Sequence, residues 1–371
     1  MWLPAPTIML MRHEEVVEAM VGQAETFGGR PQHNANQKRL IGGAYGLVMV
    51  DNAYWRACIG FAPQRRFALH VMRDQGVGSA TMQDTVTSLT AEVIERLRKQ
   101  SGTNVILRDN IVFVVANVVW QLAFGHTVAF DNPVLQTVKN HAEELIRLTF
   151  HPLVFILDKL PGWAAEPFAK TFGRGILDKI NTHHAGAKNI LQQEVEAIEN
   201  ALTDDSSPRS YIESFLLEER RLAKIGDVGS FTRPQMLSAA MDMWIAGETR
   251  LSSDVSKIGG FKIPADVDVM TMVAYTMNDP EYFPRPERFC PERFINDKGE
   301  FVKDPRVIPF SVGKRSCLGE GLARMEVFVV LLSLVRAFSL SSPISPTPAL
   351  TFAEGFMRSP RPYEVHIEAR I

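Results

Sequence analysis

Phe310-Ser311-Val312-Gly313-Lys314-Arg315-Ser316-Cys317-Leu318-Gly319 is the stretch that decides the reading of this chain. A cysteine stands in a short loop between two glycines, Gly313 and Gly319. Glycine lets a backbone bend sharply and lets a flat ligand come close. Arg315, two residues before the cysteine, is a fixed cation suited to a carboxylate partner. Immediately afterwards Gly321-Leu322-Ala323-Arg324-Met325-Glu326-Val327-Phe328 opens a long apolar helix. A helix N-terminus favours the thiolate, which is the form of cysteine that binds metal. The plainer alternative is a buried structural cysteine in front of a core helix.

Phe-x-x-Gly-x-Arg-x-Cys-x-Gly resembles the haem-ligand signature of the cytochrome P-450 family, with all five fixed positions filled. Five fixed residues arise by chance in a chain this long on the order of once in ten thousand. The resemblance implies Cys317 as the axial ligand and sole metal-binding residue, within a cofactor loop that includes Phe310, Gly313, Arg315 and Gly319. A thiolate on haem iron pushes electron density toward bound oxygen and favours O–O cleavage. The cofactor so implied is haem b, with electrons from NADPH delivered through an NADPH-dependent flavin reductase. The reaction is monooxygenation of a small apolar substrate of xenobiotic, lipid or steroid class. The resemblance is closest to animal microsomal members, which implies the cytoplasmic face of the endoplasmic reticulum membrane. This chain starts without the family's anchor, so a cytoplasmic location is the other expectation.

Further motifs extend the resemblance and mark its departures. Thr232-Arg233-Pro234-Gln235 reads as a capping box that starts a helix from Met236 to about Thr249. Its Ala246-Gly247-Glu248-Thr249 resembles the family's oxygen-activating stretch. By that resemblance Glu248 and Thr249 are catalytic proton-relay residues and Ala246 lines the substrate pocket. One residue is missing between Gly247 and Glu248, which on a helix rotates every later side chain by about 100°. Arg65-Arg66-Phe67 resembles the family's propionate-binding helix, with Trp55, Arg65 and Arg30 as further cofactor candidates. Trp55 lies ten residues before Arg65 rather than four, and Pro63 intervenes. Phe356 stands where the family turns a residue into the pocket, or else packs in the core, and Lys314 is placed to face a redox partner.

The main departure comes directly after Thr249. Leu251 to Ser256 leads straight into Ile258-Gly259-Gly260-Phe261-Lys262-Ile263-Pro264, which resembles the family's strand just before its meander. The family carries several helices here, including one bearing Glu-x-x-Arg, and no such motif occurs in that position. Pro291-Glu292-Arg293-Phe294 is present, so Arg293 is expected as a buried charge without its family partners, a state that costs about 3–5 kcal/mol. A different class of product is therefore in view: a truncated, non-catalytic remnant or a mis-joined gene model, with its junction near residues 250–254, binding haem weakly or not at all.

Composition fits a folded chain of this kind. With 46% hydrophobic residues over 371 there is material for a large core. A net charge of -2 implies no nucleic-acid partner. Three cysteines, Cys58, Cys290 and Cys317, are too few and of the wrong parity for a disulfide framework. The N-terminus lacks a signal peptide's pattern, and the longest apolar run, Val327 to Val335, is far short of the roughly twenty residues of a membrane span.

Period-three and period-four apolar residues predict helices over 14–22, 82–99, 110–124, 132–150, 168–200 and 211–222. Helix 321–338 is apolar on nearly all faces and is expected to be buried throughout. Short strands are expected at 6–11 and 363–371, the latter strictly alternating. His183 and His184 are adjacent, do not share a helix face, and carry no expected metal role. The expected architecture is a single mainly α domain over 1–371 with small β-sheets, an incomplete cytochrome P-450-like fold.

Overall fold

The computed structural model describes residues 7–29, 43, 45–48, 61–77, 79–149, 151–160, 162–244, 250–251, 256–265, 267–344 and 360–370. The chain divides into two compact units. The first comprises Met1–Ala35, Met49–Cys58 and Gly247–Leu318; the second comprises Asn36–Val48, Ile59–Ala246 and Gly319–Ile371.

The first unit is built on a three-stranded sheet. Its central strand, Asp268–Thr271, runs parallel to Thr7–Leu10 and antiparallel to Arg250–Leu251. Val269 on that strand is fully buried, as a β-branched residue on a covered sheet face should be. Helix His13–Val17 widens into a π-turn over Glu18–Gly22 and lays Val16, Ala19 and Met20 on Leu10, Phe27, Ile258, Ile263 and Ile308. The segment expected as one strand is a hairpin, Ser256–Ile258 with Phe261–Ile263. Gly259 and Gly260 have φ of 56° and 84°, and two successive positive φ angles make the turn that suits paired strands.

Arg293 corrects the expectation of an unpaired buried charge. It is half-buried, and its guanidinium donates to the carbonyls of Pro284, Cys290, Arg285 and Arg288 at 3.0–3.3 Å. Backbone acceptors occupy its donors, so the desolvation cost of an orphaned charge does not arise. The Glu-x-x-Arg triplets elsewhere, Glu95–Arg98, Glu144–Arg147 and Glu218–Arg221, form ion pairs within single surface helices, where such pairs contribute little.

The second unit is helical. Leu107–Phe124 is its central helix, with Phe113, Val114, Trp120 and Phe124 buried. Among the described residues it is the one helix long and apolar enough to cross a membrane, a feature the longest unbroken apolar run does not reveal. Gly125 ends it at φ 84°, a left-handed cap open to glycine. Phe61–Asp74 accommodates Pro63 because a first-turn residue has no intrahelical acceptor to lose. Pro133–Thr149 packs along Arg174–Ala201. The helix expected over 168–200 is interrupted: Pro167 closes the short helix Gly162–Phe168, a π-turn spans Ala169–Gly173, and the regular helix begins at Arg174. Proline removes a ladder donor and crowds the preceding turn, which favours such a break. A small sheet has Val365–Ala369 in the centre, between Thr103–Val105 and Phe338–Ser341, with Ile367 fully buried.

Glu320–Ala337 departs from expectation. Leu322, Glu326, Val329, Val330, Leu334 and Ala337 are buried, and the helix packs on Ala80–Arg98. The other side is bare: Val327 and Phe328 are 64% exposed, Leu331 58%, Leu332 and Val335 44%. The sequence is apolar all round, but only one side is covered.

Glu326 on the covered side has an oxygen, Oε1, without a hydrogen-bond partner, and burial lifts its carboxyl to about 7. The folded chain therefore holds this proton where the unfolded chain has lost it. The stabilisation is complete below the ordinary value of 4.5 and is lost as pH rises toward 7, on the order of 3 kcal/mol in all. The urea midpoint is expected to fall between pH 5 and pH 8, and Glu326→Gln is expected to flatten that fall. An equal fall in the variant would remove Glu326 as its source.

Candidate active site

The motif loop lies in the first unit up to Leu318 and closes on itself through its backbone. The Cys317 N–H donates to the Phe310 carbonyl at 3.0 Å, Ser316 N–H to Gly313 at 3.0 Å, and Ser311 N–H to Ile308 at 2.9 Å. Gly313 has φ 80°, and a Cβ there would overlap the backbone carbonyl of Met20. Ser311 is left-handed too, at φ 61°, a conformation that costs a non-glycine residue of order 1–3 kcal/mol and marks a tightly determined loop. Gly319 is different: at φ -88° its backbone is open to any residue. Of the two glycines flanking the cysteine, the turn itself demands only Gly313.

Arg315 is 5% exposed and donates from Nη2 to the Gly28 carbonyl at 3.1 Å. Lys314, expected to face a partner, is exposed and pairs with Glu25. Cys317 itself is a free, exposed thiol. Zinc held by side chains takes three protein donors in catalytic sites and four in structural ones. Among the described residues no group of three histidine, cysteine, aspartate or glutamate side chains is placed to hold a metal ion. One exposed thiol on a rigid loop is instead the donor set for an iron already held by a macrocycle, so these residues fit haem.

Phe310 is half-buried at the start of the loop. Arg65 is half-buried on Phe61–Asp74, in the second unit. Arg30, Trp55, Ala246, Glu248, Thr249 and Phe356 lie outside the described residues.

Two residues of the helix Arg233–Trp244 do something the sequence did not announce. The Asp242 carboxylate accepts from the N–H groups of Leu47 and Val48. Gln235 receives the Gly46 N–H at 3.0 Å and donates to the Gly46 carbonyl at 3.1 Å. The Gln235 half of the expected capping box is not made, because its amide is spent on Gly46 and the Thr232 N–H donates to the Ser230 carbonyl instead. Gly46 has φ 98°, and a Cβ there would overlap the Asp242 carboxylate. Together they clasp the strap over residues 46–48 to the helix Arg233–Trp244. Buried Tyr211 lies nearby; burial first, then the Asp242 charge, push its phenol upward. Nothing in the sequence tied Gly46 and Leu47 to residues 189 and 195 positions away.

A backbone-closed loop carrying one exposed thiol, in a mainly helical chain with small sheets, is the arrangement that a haem-thiolate protein requires. The cytochrome P-450 family model matches residues 1–253 and 248–367, and the chain belongs to that family. The probable cytochrome P-450 CYP36A1 of Caenorhabditis elegans is 28% identical over 439 aligned positions, covering all of this chain and 87% of its own length. Cytochrome P-450 2B19 of Mus musculus and 2G1 of Rattus norvegicus are each 24% identical, covering 99% of this chain and 85% of their own. Family members are monooxygenases that use haem with an axial cysteine thiolate, NADPH-derived electrons and reductase partners, and bind apolar substrates. The alignment with the worm protein has 439 positions against 371 residues, so at least 68 positions of that relative have no counterpart here. The family match itself breaks at residues 248–253.

Proposed function

We propose that this chain is a haem-thiolate monooxygenase acting on a small apolar organic substrate, of xenobiotic, lipid or steroid class, with Cys317 as the axial ligand. The observation that carries the reading is the exposed Cys317 thiol on a backbone-closed loop beside buried Arg315. Bound haem supplies oxygen activation, which inserts one atom of O2 into substrate and sends the other to water. The chain's own residues hold and serve it. Cys317 ligates the iron; Phe310, Gly313 and Gly319 shape the loop; Arg315, Arg65 and Arg30, with Trp55, meet the propionates. Glu248 and Thr249 hand protons inward, while Ala246 and Phe356 line the substrate pocket. Electrons come from an NADPH-dependent flavin reductase on the Lys314 side, at the cytoplasmic face of the endoplasmic reticulum membrane. The residues form one domain over 1–371 with a junction near 250–254.

A second reading has its own support: at least 68 missing positions, a family match that breaks at 248–253, and the bare side of Glu320–Ala337. On that reading the chain is a non-catalytic remnant or a mis-joined gene model. The absorption spectrum of haem-reconstituted protein, reduced under carbon monoxide, separates the two. A strongly red-shifted band, followed by NADPH consumption with a flavin reductase, supports the enzyme. Loose or histidine-type haem supports the remnant. A transcript encoding extra helices between Arg250 and Asp254 identifies the junction as an artefact.

A further inference from the structure

The second unit holds a pair of histidines that the haem chemistry does not use. His141, on Pro133–Thr149, and His183, on Arg174–Ala201, present their Nδ1 atoms to each other at 3.0 Å. Their rings are 5.3 Å apart between centroids and inclined at 67°, edge toward edge. The approach is built in: Gly186, one turn beyond His183, would place a Cβ 2.5 Å from His141 Nε2 if it were any other residue. That missing side chain lets the His141 ring lie flat on the helix and aims its Nδ1 at His183.

Two Nδ1 atoms this close share one hydrogen, one ring donating and the other accepting. They equally offer two lone pairs to a metal ion once the donor ring carries its hydrogen on Nε2 instead. Imidazole nitrogens bind first-row metals at about 2.0–2.1 Å, and two of them 3.0 Å apart subtend about 95° at such an ion. A right angle suits tetragonal or octahedral ions rather than tetrahedral zinc. Among the described residues no third donor joins the pair, so water completes the shell. We infer that His141 and His183 form a two-imidazole site for a divalent cation of nickel or copper type, which staples the helices Pro133–Thr149 and Arg174–Ala201 together.

The surroundings favour a neutral, ligand-ready His141 ring. Burial first, then His183, holds the His141 imidazole below its ordinary value. The charged groups facing the pair are Glu144 and Arg147 from the His141 helix and Lys179 from the His183 helix. Glu144 is engaged by Arg147, and Lys188 faces the neighbouring His184. Protons compete with the metal for the same nitrogens.

Ni2+ is the probe, because Cu2+ oxidises thiols. Calorimetric titration of the haem-loaded full chain at pH 7.5 is expected to show one Ni2+ bound, with a rise in the thermal midpoint. His141→Gln and His183→Gln are each expected to weaken binding roughly tenfold or more, while His184→Gln and Cys290→Ser leave it unchanged. Glutamine keeps a hydrogen bond to the remaining imidazole and spares the helix pair. Lowering the pH to 5 should abolish binding in the unaltered chain, reversibly. The inference fails if the chain binds no Ni2+, if binding survives both glutamine variants, or if it persists at pH 5.

Discussion

Cys317→Ser in haem-loaded protein is expected to abolish the red-shifted band of the reduced carbon monoxide complex and all NADPH-driven turnover. The loop should survive the change, because Cys317 enters it through its backbone N–H to Phe310, which serine retains. What disappears is the sulfur anion. A serine hydroxyl stays protonated at neutral pH and pushes no electron density toward the iron, so O–O cleavage loses its driving group. Cys290→Ser is the control: it removes a free thiol outside the motif and should leave the band unchanged. If the Cys317 variant keeps the band, the ligand is elsewhere and the proposed function loses its carrying observation.

Among the described glycines, Gly313→Ala should have the largest effect. The residue sits at φ 80°, and the added carbon would overlap a backbone oxygen, that of Met20, which cannot rotate away as a side chain would. A left-handed non-glycine costs about 1–2 kcal/mol by itself, and forcing the loop off Met20 adds a penalty of the overpacking kind, about 1–3 kcal/mol. The sum, roughly 2–5 kcal/mol, is a large part of the 5–15 kcal/mol that holds an ordinary domain together. Gly319→Ala, at φ -88°, should cost well under 1 kcal/mol, because alanine adopts that backbone freely. Urea midpoints and the rate of haem loss would both report the contrast. Equal behaviour of the two variants would refute the steric account.

Both expectations rest on the part of the chain most legible in the sequence. The loop is ten contiguous residues whose meaning is local, so its glycine, arginine and cysteine could be read without knowing the fold. Helix periodicity and the alternation of Tyr363 to Ile371 are local as well, and the corresponding elements exist to within a few residues. What escaped was set at long range. Asp242 acquires its role from a strap some 195 positions earlier, and His141 from a partner 42 positions later. Arg293 was expected to suffer for its missing partners, yet carbonyls within ten residues occupy it. Family pattern names which partners are lost and is silent on which substitutes lie nearby. Glu320–Ala337 shows the converse: an apolar pattern states what a helix needs covered, and cannot state whether the covering element exists.

That bare helix face bears on the life of the molecule in a cell rather than on its chemistry. Five large apolar side chains in one stripe are what chaperone holdases grip and what degradation machinery reads as damage. A face of that kind is expected to make the steady-state amount of this protein depend on quality control, through its turnover rate. Covering that stripe with polar residues should lengthen the protein's lifetime in a cell without touching the Cys317 loop.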